Sequence, residues 1–180
     1  MIHIKRSWFL LAGLSIVLFL WMGKDNSSLS NQGELAQVGH VAPNFSLPST
    51  AKEDVISLHN EEAEYLGTVL YFWTSWCPYC AASMEAMQSS YSNDSNIRFL
   101  GVNVTSQDRE EEAITFIGRH GITFPNVLDE TGEVSQSYFV PPVPTTFFIG
   151  QDDIIVHRKV GALTNSDISQ GLRMIKGGRE

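Results

Sequence analysis

The sequence predicts an α/β domain, a mixed sheet covered by helices on both faces. An N-terminal β-hairpin extends it and one transmembrane helix precedes it. Three observations carry this reading. Thr68 to Trp73, TVLYFW, is an unbroken β-prone apolar run that reads as a buried central strand. A segment with helical spacing follows directly, in which Ala81, Met84, Met87 and Tyr91 can share one face. The strand–helix order then recurs once before a helix, a hairpin and a last helix, and that succession suits a sheet covered on both sides.

Along the chain, Ser7 to Gly23 is a run of 17 residues without a charge. As a helix it reaches roughly 26 Å, at the short end of what crosses a bilayer. Lys5 and Arg6 precede it and a neutral Lys24-Asp25 pair follows, so the positive-inside bias puts the N-terminus in the cytoplasm and the rest outside. Residues 1–23 are therefore expected to be an uncleaved, single-pass signal anchor in the cell membrane. The competing reading is a cleaved signal peptide, for which Ser28-Leu29-Ser30 is a weak substitute for a small-residue cleavage site. No cysteine lies near it, which excludes a lipoprotein anchor. Residues 24–38 are rich in Ser, Asn, Gln and Gly and read as a linker; the domain is expected over 39–180.

Within that domain, Phe45 to Leu47 and Val55 to Leu58 are short strand-like pieces suited to a hairpin. Pro78 to about Tyr91 is the first helix. Ile97 to Val104 reads as a strand, and Arg109 to His120 as a helix whose acidic opening, Glu110 to Glu112, suits its positive end, with Gly121 closing it. A short helix is expected near Glu133 to Tyr138. Thr145 to Ile149 and Ile154 to Val160 read as a hairpin turning at Gly150 to Asp153, and Ser166 to Ile175 as the last helix.

The composition closes off several functions. Of 180 residues 43% are hydrophobic and 18% charged, a globular balance. Twelve basic side chains stand against twenty acidic ones, a net charge of -8, and two of the basic ones lie ahead of the apolar run. Nucleic-acid binding needs clustered Lys and Arg, so no nucleic acid is expected as a partner. An acidic domain is also repelled by anionic lipid, leaving residues 7–23 as the expected membrane contact. Nothing resembles a nucleotide or haem motif; no cofactor and no metal are expected, and the protein is expected to be a monomer.

The two cysteines, Cys77 and Cys80, are three positions apart at the junction of the central strand and the helix after it. A disulfide-stapled scaffold would need more cysteines spread along the chain, and a loop this short removes little unfolded-state entropy. A zinc site would need two further ligands, and His40, His59, His120 and His157 are scattered without metal-like spacing. Redox chemistry remains. With Pro78 at the first helical position, Cys77 becomes the helix cap, where free N–H groups and the dipole favour thiolate and lower its pKa. Cys80, nearly a turn on, is close enough to close a disulfide and less accessible. Cys77 is thus the expected attacking or attacked sulfur and Cys80 the resolving one. Trp76 precedes the pair, Pro78 and Tyr79 lie between its members, and all three are expected to touch the substrate.

At this point the chain resembles the membrane-anchored thioredoxin-like proteins of the TlpA and ResA type. Gly39-His40-Val41-Ala42-Pro43-Asn44-Phe45 is similar to their opening G-x-x-A-P-x-F, and Phe72-Trp73-Thr74-Ser75-Trp76-Cys77 to their F-W-x-x-W-C. Phe124 to Asp129 is similar to their segment before the short helix, and Val143-Pro144-Thr145-Thr146-Phe147 to their V/L-P-T-T-F strand. The likeness covers about Gly39 to Ile175. It implies a thioredoxin fold with a cis peptide between Val143 and Pro144 facing the cysteines, a backbone that an extended substrate could pair with. Without it, Pro141, Pro142 and Pro144 read only as a rigid loop, each trans. It also implies an extracytoplasmic thiol–disulfide oxidoreductase that reduces protein disulfides, often in apocytochrome c, with electrons from an integral-membrane thiol carrier.

The chain departs from that pattern at three places. Pro78-Tyr79 separates the cysteines. Ser83 stands where the family often has Glu near the active-site mouth, and Tyr71 where thioredoxin has a buried Asp. Tyrosine titrates too high to be an easy base, and fewer carboxylates favour the Cys77 thiolate, which makes the pair more oxidising. An oxidant or isomerase of disulfide formation is therefore the alternative.

Two other classes fit the sequence less well. A copper carrier of the Sco type would use both thiolates and His157, but those proteins space their cysteines as C-x-x-x-C. A thiol peroxidase shares G-x-x-A-P-x-F, but Val69 and Leu70 fill the region where its motif needs proline. Trp73, Met84 and Met87 are expected in the core, and Trp76 on the docking surface.

Overall fold

The computed structural model describes residues 36–51, 54–59, 65–140 and 142–177. The expected membrane span and most of the linker lie outside these residues. Among the described residues no helix is long and apolar enough to cross a membrane.

Strands β1 (Ser46–Pro48) and β2 (Val55–Ser57) form the antiparallel hairpin expected from the sequence. The main sheet is built from β3 (Gly67–Trp73), β4 (Ile97–Asn103), β5 (Asn126–Leu128), β6 (Thr145–Gly150) and β7 (Ile155–Val160), in the order β5-β4-β3-β6-β7. β3, β4 and β5 run parallel, while β6 and β7 are antiparallel to their neighbours, so the sheet is mixed. The helices are α1 (Cys80–Tyr91), α2 (Glu110–Arg119), α3 (Glu133–Ser137) and α4 (Asn165–Gly177), with a 3-10 turn at Thr105–Gln107.

Alternation along β3 divides the core. Val69, Tyr71 and Trp73 point to the face packed by α1, α2 and α4, with Met84, Met87, Ala113, Phe116 and Ile168. Leu70 and Phe72 point to the other face, where Tyr138, Val140 and the hairpin's Phe45 cover them. All five of these β3 side chains are fully buried, as an apolar run without polar alternation requires. Ala36 is also fully buried on that second face, three residues ahead of Gly39. Tyr138 anchors this layer by donating its hydroxyl to the Pro43 carbonyl at 2.7 Å.

Two glycines set close approaches. A Cβ on Gly101 would run into the Asn126 amide, and one on Gly171 into the Phe148 ring, so α4 lies directly on the sheet. The strand β5 was not visible in the sequence. Three residues after Pro125 carry no usable period, and their strand character comes from parallel pairing with Gly101 to Asn103.

Candidate active site

The cysteines lie where β3 ends and α1 begins, and they are joined by a disulfide with Cα atoms 5.4 Å apart. The turn that carries them is tighter than a helical one. Cys77 N–H donates to the Thr74 carbonyl at 3.3 Å, and Cys80 N–H to the Cys77 carbonyl at 3.2 Å. The helix proper starts at Cys80, with Tyr79 in the capping position. This corrects the expectation that Cys77 is the cap with Pro78 at the first helical position. The three-residue bond from Cys80 back to Cys77 closes a separate turn ahead of the helix. Cys77 is the more accessible sulfur residue, at 4% against 0% for Cys80.

Around the pair, Trp76 and Tyr79 are among the most exposed large side chains, at 59% and 65%, and Pro78 between the cysteines is exposed too. Trp73 belongs to the core and donates its indole N–H to Asn126 Oδ1 at 3.0 Å. The peptide between Val143 and Pro144 is cis, as the resemblance implied. Val143 packs against the cluster that contains both cysteines, and Pro144 is buried.

Beneath Cys80 lie Tyr71 and Ser83, both fully buried. The Tyr71 hydroxyl donates to the Cys80 carbonyl at 3.4 Å. Burial pushes its pKa far above the ordinary phenol value, opposed only in part by a hydrogen bond with the Ser83 side chain. Tyr71 therefore stays protonated at any physiological pH and cannot serve as a base. Ser83 was expected near the mouth of the site; instead its Oγ donates to the Tyr79 carbonyl at 2.9 Å and accepts the Leu163 N–H at 2.9 Å. A small hydroxyl fits between α1 and the segment leading to α4, where it satisfies a buried N–H.

One participant carries no signal in the sequence. Asp108, just before α2, reads in sequence as an ordinary helix-start residue. Its carboxylate in fact accepts the Ser75 N–H at 2.5 Å, the Ser75 Oγ–H at 2.6 Å and the Asn103 Nδ2–H at 2.8 Å. Next to it the Trp76 indole N–H donates to the Gln107 carbonyl at 2.8 Å. A cleft of about 420 Å³ opens between the Trp76 loop and α2. His157, the residue a copper reading would need, lies on β7 with its ring against Phe148. Among the described residues no group of three or more His, Cys, Asp or Glu side chains could hold a metal ion.

A disulfide-forming pair three positions apart at a strand–helix junction, a cis Val143–Pro144 peptide whose Val143 packs on the same core cluster, and exposed aromatics next to the cysteines can exchange disulfides with another protein. The AhpC/TSA family model matches residues 38–158. The chain belongs to that family. It is 33% identical over 162 residues to the thiol-disulfide oxidoreductase ResA of Oceanobacillus iheyensis, covering 89% of this chain and 82% of that one. It is 29% identical over 179 residues to ResA of Bacillus subtilis, covering 97% and 96%. The crystal structure of StoA from Bacillus subtilis superposes with a TM-score of 0.62 at 28% identity, covering 73% of this chain and 98% of that one. This AhpC/TSA member is a thiol–disulfide oxidoreductase of the ResA and StoA type with a thioredoxin-like fold.

Proposed function

We propose that the protein reduces disulfides of other proteins outside the cytoplasmic membrane, with apocytochrome c before haem attachment as the first substrate to try. The observation that carries this is the Cys77–Cys80 disulfide, with Cys77 the more accessible member and Val143 of the cis Val143–Pro144 peptide packed on the same cluster. In the dithiol form, the Cys77 thiolate attacks one sulfur of a substrate disulfide. A bond forms between Cys77 and that sulfur, and the other substrate sulfur leaves as a thiolate. Cys80, after losing its proton, attacks Cys77 and expels the second substrate thiolate. Two electrons have then passed to the substrate, and the protein carries its own disulfide. Trp76, Pro78, Tyr79 and the Val143–Pro144 backbone hold the substrate segment. Residues 7–23 anchor the chain in the membrane, and an integral-membrane thiol carrier restores the dithiol.

One observation favours a second reading, an oxidant or isomerase of disulfide formation. The groups beneath Cys80 are Tyr71, held neutral by burial, and Ser83, so neither is a carboxylate that would oppose a thiolate. The reduction potential of the Cys77–Cys80 pair, by equilibration with glutathione or dithiothreitol, separates the two. A value well below about -200 mV supports the reductant, and one nearer about -120 mV the oxidant.

A further inference from the structure

We propose that Asp108 is the positioning residue of the site, fixing the Ser75–Trp76 segment so that the Trp76 indole and Cys77 meet protein substrates in one geometry. The inference rests on the reading above that the substrates are proteins. Ser75 and Trp76 are the two residues immediately before Cys77, and both are bonded to the loop between β4 and α2 rather than to their own helix. Asp108 accepts both the N–H and the hydroxyl of Ser75, and the Gln107 carbonyl takes the Trp76 indole N–H. The carboxylate is itself held in place: Asn103, fully buried at the end of β4, donates to it at 2.8 Å, and the Arg109 N–H donates at 2.8 Å. Four donors converge on one carboxylate, and hydrogen bonds to a charged acceptor are the stronger kind.

The arrangement matters because the reaction opens the bond that otherwise ties down this loop. While Cys77 and Cys80 are joined, the turn is closed covalently. Once they are thiols, the loop carrying Cys77 keeps only non-covalent restraints. None of the Asp108 bonds involves a sulfur, so opening the disulfide removes none of them directly. They also place the exposed Trp76 indole as one wall of the cleft whose far side carries Phe116 and Arg119 of α2. A protein substrate must dock against that surface. A small disulfide needs only an accessible sulfur, so its reaction depends far less on where Trp76 stands.

The test uses the full-length chain and the variants Asp108→Ala and Asp108→Asn, with Ser75→Ala as a milder probe that removes one of the four donors. Two reactions are followed: dithiothreitol-driven reduction of insulin, and reaction of the reduced protein with oxidised glutathione. For Asp108→Ala we expect kcat/KM for insulin to fall about tenfold or more, mainly through KM, while the glutathione rate changes less than about threefold. Asp108→Asn, which keeps an acceptor but loses the charge, falls in between, and Ser75→Ala loses about two- to fivefold on insulin alone. Equal losses on both reactions, or a lowered Tm with insulin turnover unchanged, overturn the assignment. If Asp108→Ala does not fold, the ratio of the two rates in Asp108→Asn and Ser75→Ala decides. A wild-type protein that reacts with glutathione but not with insulin would refute instead the reading of protein disulfides as substrates.

Discussion

Replacing Ser83 by alanine sets two effects of opposite sign against each other. Alanine is the better helix former, and the exchange in α1 is worth about 0.5 kcal/mol in its favour. The hydroxyl, however, is fully buried and is the acceptor of the Leu163 N–H at 2.9 Å, and Leu163 is the buried residue of the segment between β7 and α4. Alanine leaves that N–H without a partner, a cost of about 1–3 kcal/mol. The lost bond to the Tyr79 carbonyl matters less, because a capping residue's carbonyl also accepts the first intrahelical N–H. The buried N–H therefore wins, and Ser83→Ala is expected to lose about 1–2 kcal/mol, a fall of several degrees in Tm. Urea titrations of the oxidised and reduced forms read it directly. Ser83 bonds to backbone and to the Tyr71 side chain, not to sulfur, so both forms should lose the same amount and the reduction potential should not move. A variant as stable as wild type would show that propensity outweighs the buried bond. A loss confined to one redox form would show that Ser83 takes part in the redox change.

Two further substitutions probe other parts of the structure. Asp167 accepts from the Thr164 N–H and hydroxyl and pairs with Lys159 at 3.0 Å, which holds its pKa down at about 2. A depressed carboxyl stabilises the fold above its unfolded pKa and loses that contribution as pH falls towards the folded one. Asp167→Asn should thus cost about 1 kcal/mol at pH 7 after solvent screening, with the difference from wild type closing between about pH 4 and pH 2. A constant gap across that range in urea titrations contradicts it. Tyr71→Phe removes a hydroxyl that stays protonated and makes a long bond to the Cys80 carbonyl and a contact with the Ser83 side chain, so stability should change by about 1 kcal/mol. The pH profile of Cys77 alkylation should keep every ionisation between about pH 5 and 9. Loss of one would mean that Tyr71 moves a proton for the pair.

The sequence was most readable where one element decides its own fate. The apolar run of β3, the helical spacing after it and the β6–β7 hairpin each carry their signal in contiguous residues. The cysteine pair was legible for the same reason. The cis peptide at Pro144 was not, because three prolines in four residues favour trans one by one, and only the resemblance pointed to cis. Features that arise between segments were hidden. The edge strand β5 exists through its pairing with β4. Ser83 was placed at the mouth of the site by analogy, yet α1 turns it inward against Leu163. Cys77 was expected as a helix cap, but the cysteine turn closes before the helix starts. Asp108 gave no signal of its own beyond standing ahead of an acidic helix start. Its partners, Ser75 and Asn103, come from the ends of two different strands.

The division of labour between the two cysteines is tested most directly by trapping. Cys80→Ser and Cys77→Ser variants of the full chain are reduced, mixed with a disulfide-containing protein and analysed by non-reducing gel and intact mass. With Cys77 as the attacking sulfur, Cys80→Ser should accumulate a mixed disulfide that dithiothreitol releases, because nothing resolves it, while Cys77→Ser should give none. Equal trapping by both variants, or trapping by Cys77→Ser alone, would contradict the assigned roles.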